Sequence, residues 1–205
     1  DGEKLIGFSL TGLRLQKGMP TAYDIATGIV PEYRRQGVTS EIYLLEKSIL
    51  KGKQVSQYLL EVINENLPAV RLYQKQGFQI HREFACFRID QRHLTLRSQH
   101  PIEKTSEIDW NQGKTFWDFE PSWQNSVASV SAVPEAFITV VARFNGKIAG
   151  YGIIEPKTGD IPQLAVHPKF RRLGIGTSLL AGLAMNTEAE KIRVLNIDAC
   201  QNTVL

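Results

Sequence analysis

Two short stretches set arginines and a glycine at one spacing: Arg34-Arg35-Gln36-Gly37-Val38-Thr39 and Arg171-Arg172-Leu173-Gly174-Ile175-Gly176-Thr177. Their approaches repeat as well. Ile29-Val30-Pro31-Glu32-Tyr33 is echoed, gap-free at an offset of 137 residues, by Val166-His167-Pro168-Lys169-Phe170. Each copy follows an apolar run and precedes an amphipathic helical pattern. A helix start supplies N–H groups without intrahelical acceptors and the positive end of the helix dipole, which suits a diphosphate. Glycine removes the Cβ where an anion must come close, and arginine adds charge with forked donors. Thr39 stands where the second copy has Gly176, so approach to the first is more crowded. Either turn alone is equally well read as glycines that let a strand turn into a helix; duplication with both arginines kept favours binding. Neither copy carries a Walker A Gly-Lys-Ser/Thr or a Gly-x-Gly-x-x-Gly fingerprint.

Strands and helices must position these turns. Leu5 to Gln16 reads as a strand, Lys17-Gly18-Met19-Pro20 as a turn, and Thr21 to Val30 as the next strand. Beyond Gly37, residues Val38, Ile42, Leu45 and Ile49 fall on one helical face, and Gly52 ends it. Gln57 to Ile63 is a buried strand by apolar density. Asn66-Leu67-Pro68 opens a second helix, with the proline where no N–H is missed, and Gly77 closes it as a left-handed cap. Phe78 to Ile89 returns as a strand bent near Arg82. The polar stretch from Asp90 to Glu107, broken at His100-Pro101, holds the boundary between units 1–94 and 95–205. The second unit opens with Trp110, Phe116, Trp117, Phe119 and Trp123. Ala136 to Arg143 and Lys147 to Ile154 form a hairpin about Asn145-Gly146. Ile161 to Val166 leads into the second turn, Gly176 to Met185 is its helix, and Arg193 to Ile197 is a strand. The class is α+β, and the long offset excludes solenoid repeats, whose periods run roughly 20–50 residues. Leu5 begins a strand with nothing before it, and the chain stops soon after the last strand, so both ends are expected to be cut relative to a longer protein.

Arg171-x-x-Gly174-x-Gly176, after Leu164-Ala165-Val166, resembles the acetyl-CoA motif of the GNAT superfamily of N-acetyltransferases. Arg34-x-x-Gly37-x-Thr39 resembles it with one departure at the last position. Leu60-x-Val62-x-x-x-Asn66-x-x-Ala69-x-x-Leu72-Tyr73-x-x-x-Gly77-Phe78 is similar to the strand-helix segment that follows in these enzymes. The resemblance implies two acyl-CoA N-acyltransferase units, each a mixed, mostly antiparallel sheet flanked by helices. The first lacks the family's opening elements and the second its closing ones.

What the resemblance implies for chemistry is acetyl-CoA as cofactor and transfer of its acetyl group to a primary amine by direct attack in a ternary complex. Cofactor contacts fall to Leu164, Ala165, Val166, Arg171, Arg172, Leu173, Gly174, Ile175, Gly176 and Thr177. In the first unit they fall to Ile29, Arg34, Arg35, Gln36, Gly37, Val38, Thr39 and Asn66. Free backbone groups of Leu164 to Val166, or Thr27 to Ile29, pair with the pantetheine arm as an added strand would. A backbone N–H such as that of Val166 or Ile29 stabilises the developing oxyanion. Tyr73 matches the tyrosine that protonates the leaving thiolate; its spacing with Ala69, Leu72 and Gln76 also suits a core tyrosine. Asn66 caps its helix and is compatible with a cofactor contact, with Asn202 as its counterpart. Asp24 and Asp160 are candidate bases for an attacking ammonium and are read equally well as surface turn residues; Asp24 is the one assigned.

Composition narrows the remaining classes. At 42% hydrophobic and 22% charged the chain is ordinary for a soluble globular protein. A net charge of +3 is too mild to argue for nucleic acid, and the arginines sit at turns rather than along a stripe. Cys86 and Cys200 make no disulfide framework. No apolar run of about 18 residues or signal peptide is present. A cytoplasmic location, no nucleic-acid or membrane partner and no metal are therefore expected, and the resemblance implies an acceptor that is a small-molecule or peptide amine. His81, His93, His100 and His167 show no ligand spacing. The tryptophans read as core, or as a wall of the acceptor site. The alternative to transfer is a non-catalytic acyl-CoA-binding or sensor module with a degenerate site.

Overall fold

The computed structural model describes Gly2 and residues 4–199, and divides into two compact units, Asp1–Ile80 and His81–Leu205. Cys200 and Asn202 lie outside the described residues.

The first unit contains strands β1 (Gly7–Gln16) and β2 (Met19–Ile29), helix α1 (Val38–Gly52), strand β3 (Gln57–Leu59) and helix α2 (Leu67–Lys75). Its sheet order is β1-β2-β3. Lys17 and Gly18 both take positive φ, 52° and 78°, the turn that suits the twist of an antiparallel pair. β2 and β3 run parallel, matched only at Thr21–Gln57, Ala22–Tyr58 and Tyr23–Leu59.

In the second unit β4 (Phe84–Asp90), β5 (Ile102–Thr105), α3 (Trp110–Gly113), α4 (Val127–Ala132), β6 (Ile138–Phe144), β7 (Lys147–Glu155), β8 (Asp160–Val166), α5 (Ile175–Ala184) and β9 (Lys191–Asp198) follow in turn. The sheet order is β4-β9-β8-β7-β6-β5, with β8–β9 as its parallel pair. Asn145 and Gly146 take φ of 51° and 76° in the β6–β7 turn, as their types require. One sheet face packs Val140, Ile154 and Ile161 against Leu179 and Leu183 of α5. Another cluster gathers Phe116, Val130, Val141, Tyr151 and Ala165. Gly152 allows α5 to approach, since a Cβ there would fall 2.7 Å from Leu183.

Three expectations from sequence are corrected. The division falls at residues 80/81 rather than 94/95, because Phe84–Asp90 hydrogen-bonds along β9, and Gln91 adds a backbone bond to Glu190. Strand structure begins only at Phe84, not Phe78, and β3 stops at Leu59 rather than Ile63. On α1 the buried residues are Tyr43 and Leu50, two turns apart, while Leu45 and Ile49 are 64% and 49% exposed. β5 went unseen in sequence: Ile102-Glu-Lys-Thr105 is a short charged edge strand, and Ile102 packs where a Cβ on Gly182 would sit.

Candidate acyl-CoA site

Each unit places its arginine-glycine turn at the open end of a parted strand pair. Beyond Tyr23–Leu59, β2 continues to Ile29 with no partner on the β3 side. Beyond Ile161–Val194, β8 continues to Val166 with none on the β9 side among the described residues. Backbone groups alternate sides along a strand. Val30 donates to Ile6 on β1, so Thr27 and Ile29 face the gap. His167 donates to Ala149 on β7, so Leu164 and Val166 face the gap, while Ala165 turns its backbone to β7 and its side chain to the core. Of the three β8 residues expected to pair with a ligand, Ala165 is thereby turned away.

The two turns superpose angle by angle. Val30 and His167 have φ/ψ of −53°/133° and −52°/131°, Arg34 and Arg171 −70°/155° and −70°/158°. Arg35 and Arg172 take φ of 62° and 63°, and Gly37 and Gly174 take 87° and 81°. A left-handed arginine costs roughly 1–2 kcal/mol, and both copies keep one. The first intrahelical bonds are Glu41 to Gly37 and Ser178 to Gly174. The amides of Val38, Thr39 and Ser40, and of Ile175, Gly176 and Thr177, precede them in the first turn, where N–H groups have no intrahelical acceptor. A Cβ on Gly176 would meet only Val166 within 4 Å, at 3.7 Å, so the turn is open at this position.

The two arginines of each turn have different tasks. Arg34 Nε donates to the Ile29 carbonyl at 3.0 Å, and Arg171 Nε to that of Val166 at 3.1 Å. Arg171 also donates to the Phe116 carbonyl and to Asp118. These guanidiniums tie the turn to the strand that precedes it, a role that residue type alone did not show. Among the described residues Arg35 and Arg172 are unpaired and exposed. Gln36 folds back to the Glu32 carbonyl, and Leu173 offers its carbonyl to His100 Nε2. His167 accepts from the Lys169 amide, capping the turn.

Where β2 and β3 part, the first unit gathers polar groups. Asp24 follows the last paired residue and is 7% exposed. It accepts from Tyr43 Oη at 2.5 Å and from Thr27 Oγ1 at 3.0 Å to each carboxylate oxygen. The Tyr73 ring stands edge-on to Tyr43, centroids 5.9 Å apart. Burial pushes the Tyr73 phenol above its usual range, and the Asp24 charge adds to this. Tyr43 is pushed up by burial and by its bond to Asp24. The structure thus brings Asp24 and Tyr73 together and adds Tyr43, which sequence reasoning missed; its spacing from Asp24 carries no motif. Asn66 accepts from the Ala69 amide at 3.4 Å, as a helix cap.

In the second unit the corresponding place is braced. Gln163 Nε2 donates to the Asn125 carbonyl at 2.6 Å, while Asn125 Nδ2 donates to Leu195 on β9 at 3.0 Å. Tyr151, its phenol pushed up to about 12 by burial, donates to Gln163 Oε1 and accepts from Trp117 Nε1. Asp160 is held by Arg193 through two bonds. Trp123 is buried and Trp110 packs edge-on to Tyr151, as core tryptophans do.

Comparison with known proteins gives the family. Residues 1–78 match the model of the Acetyltransferase (GNAT) family, and residues 135–203 that of the Acetyltransferase (GNAT) domain. No curated protein matches the sequence significantly. Among solved structures, a tandem GNAT protein from the clavulanic acid biosynthesis pathway, without AcCoA, is similar over 96% of this chain and 72% of its own. The TM-score is 0.64 at 17% identity. A GCN5-related glucosamine N-acetyltransferase region of a fungal multi-domain beta-N-acetylglucosaminidase is similar over 94% of this chain, which spans 29% of that one, with TM-score 0.67 and 13% identity. At such identities the likeness is one of fold. Each half carries the parted strands, the left-handed glycine and the family's match, and the chain belongs to the GNAT acetyltransferase family with two units in tandem.

Proposed function

We propose that the chain is an acetyl-CoA-dependent N-acetyltransferase that moves an acetyl group to a primary amine by direct attack in a ternary complex. The observation that carries this is the meeting of Asp24, Tyr43 and Tyr73 where β2 and β3 part, in the unit whose gap leads to the Gly37 cradle. Acetyl-CoA supplies, when bound, an acetyl thioester and a diphosphate. The residues fit such a ligand. Amides of Val38 to Ser40 and the Arg35 side chain hold the diphosphate in the first unit; amides of Ile175 to Thr177 and Arg172 do so in the second. Gap-facing backbone of Thr27 and Ile29, or of Leu164 and Val166, pairs with the pantetheine arm. Tyr73 Oη holds a proton at neutral pH and would be the donor to the departing sulfur. Asp24, with its oxygens taken by the hydroxyls of Tyr43 and Thr27, holds Tyr43 beside Tyr73. The amine would attack as its free base, the C–N bond replacing the C–S bond, and the proton it gives up would pass through water to the Tyr73 oxygen left bare by the thiolate.

For the second unit a binding reading is favoured. Asn125 spans the point where β8 and β9 part, and Ile161 stands where the first unit has Asp24. This unit holds the ligand without transferring from it. Small-molecule amines are the acceptor class proposed, within the cytoplasm. Calorimetric titration with acetyl-CoA, together with transfer to a panel of primary amines, tests both readings. Binding with transfer abolished in Tyr73→Phe supports the assignment; absence of any binding refutes it.

A further inference from the structure

The first unit buries a carboxylate held by hydroxyl groups. Asp24 is 7% exposed and Tyr43 fully buried, and the contacts on the Asp24 oxygens are hydroxyls of Tyr43 and Thr27. A buried charge is expensive unless its hydrogen bonds are satisfied. The arrangement therefore constrains the hydroxyls around it. Tyr43 is also the hub of an aromatic cluster: its centroid lies 6.1 Å from Tyr58 and 5.9 Å from both Tyr73 and Phe78. Phe78 is in turn 5.9 Å from Tyr73, so Tyr43 and Phe78 hold the Tyr73 ring edge-on.

We propose that Tyr43 and Asp24 are positioning residues for Tyr73, a locked carboxylate-phenol pair that fixes the place and the proton of the acid's hydroxyl. This rests on the transfer reading of Tyr73. The charged and titratable groups around the cluster are Asp24 on β2, Tyr43, Glu46 and Lys47 on α1, the last donating to the Gln76 carbonyl at the end of α2, and Tyr58 on β3. Glu46 is occupied by Thr11 Oγ1 at 2.7 Å and Tyr58 Oη at 2.9 Å, which leaves Asp24 as the carboxylate that acts on Tyr73. The two partners act in opposite senses. The Asp24 charge opposes ionisation of Tyr73, and the Tyr43 hydroxyl favours it. Together they keep the proton in place while leaving it transferable.

The test uses the full chain and two readouts. Steady-state transfer from acetyl-CoA to primary amines gives kcat and KM. A pH titration followed by the ring carbon signals of labelled tyrosine gives the Tyr73 midpoint, the signal being assigned by its loss in Tyr73→Phe. Tyr43→Phe should lower kcat on the order of tenfold to a hundredfold, the scale of a misplaced catalytic group, with KM for acetyl-CoA unchanged. It should also raise the Tyr73 midpoint. Asp24→Asn should lower that midpoint, and Asp24→Glu, which keeps the charge, should restore it. A Tyr73 midpoint unmoved by both Tyr43→Phe and Asp24→Asn overturns the proposal, even where transfer falls. Wild-type protein that transfers nothing, yet shows the midpoint shifts, refutes the proposed function and supports the coupling.

Discussion

The two strand gaps begin alike and end differently. Their turns match in backbone angle from Val30 and His167 to Gly37 and Gly174, and both anchor a guanidinium on the last carbonyl of the preceding strand. At the closed end the shared register sets Asp24 against Ile161 and Tyr43 against Leu180. Asp24 and Tyr43 form a buried hydrogen-bonded pair, whereas Ile161 joins the apolar core under α5. Turn geometry is thus the same in both copies while the residues at the vertex differ. A cradle made of backbone amides survives side-chain change easily, because its donors belong to every residue. A proton-handling group does not.

The sharpest way to break this comparison is Tyr73→Phe. If the first unit alone transfers, removing one hydroxyl should lower kcat by about 10²–10⁴-fold, the usual contribution of a general acid. Residual transfer near the wild-type rate would show that the braced second gap reacts, and the distinction between the copies would fall. Gly174→Glu probes the shared half of the comparison. Its φ of 81° disfavours any side chain, and a carboxylate there would repel a diphosphate. Affinity at the second cradle should drop on the order of a hundredfold, about 2.7 kcal/mol. Calorimetry should still record the first cradle. Unchanged affinity at both would mean that the second turn is only a bend between strand and helix.

The anchoring arginines sharpen the comparison on the side of stability. Arg171→Ala removes bonds to Val166 and Phe116 and the pair with Asp118, and should cost about 1–3 kcal/mol by chemical denaturation. Arg34→Ala loses one exposed bond and should cost about 0.5–1.5 kcal/mol. Equal losses would show that the extra contacts of Arg171 contribute nothing. These arginines also mark the limit of reading the sequence. The spacing Arg-x-x-Gly placed the turn and the helix after it, because both depend on local backbone preference. It could not tell which arginine is tied down, since that depends on a carbonyl five residues earlier. The pairing of Phe84–Asp90 with β9 escaped for the same reason: an apolar strand does not announce its neighbour.

The smallest effect concerns α1, where apolar spacing pointed to Leu45 and Ile49 and the fold buries Tyr43 and Leu50. Two apolar stripes coexist on this helix, and the hydroxyl of Tyr43 decides between them by reaching Asp24. Leu45→Gln should therefore change stability by no more than about 0.5 kcal/mol, as for other exposed sites. The matched control on the second helix is Leu179→Ala, fully buried, which should cost about 2–5 kcal/mol. A large loss from Leu45→Gln in the same denaturation experiment would mean that the outer stripe is covered in solution, and that the two helices are buried more alike than their surfaces indicate.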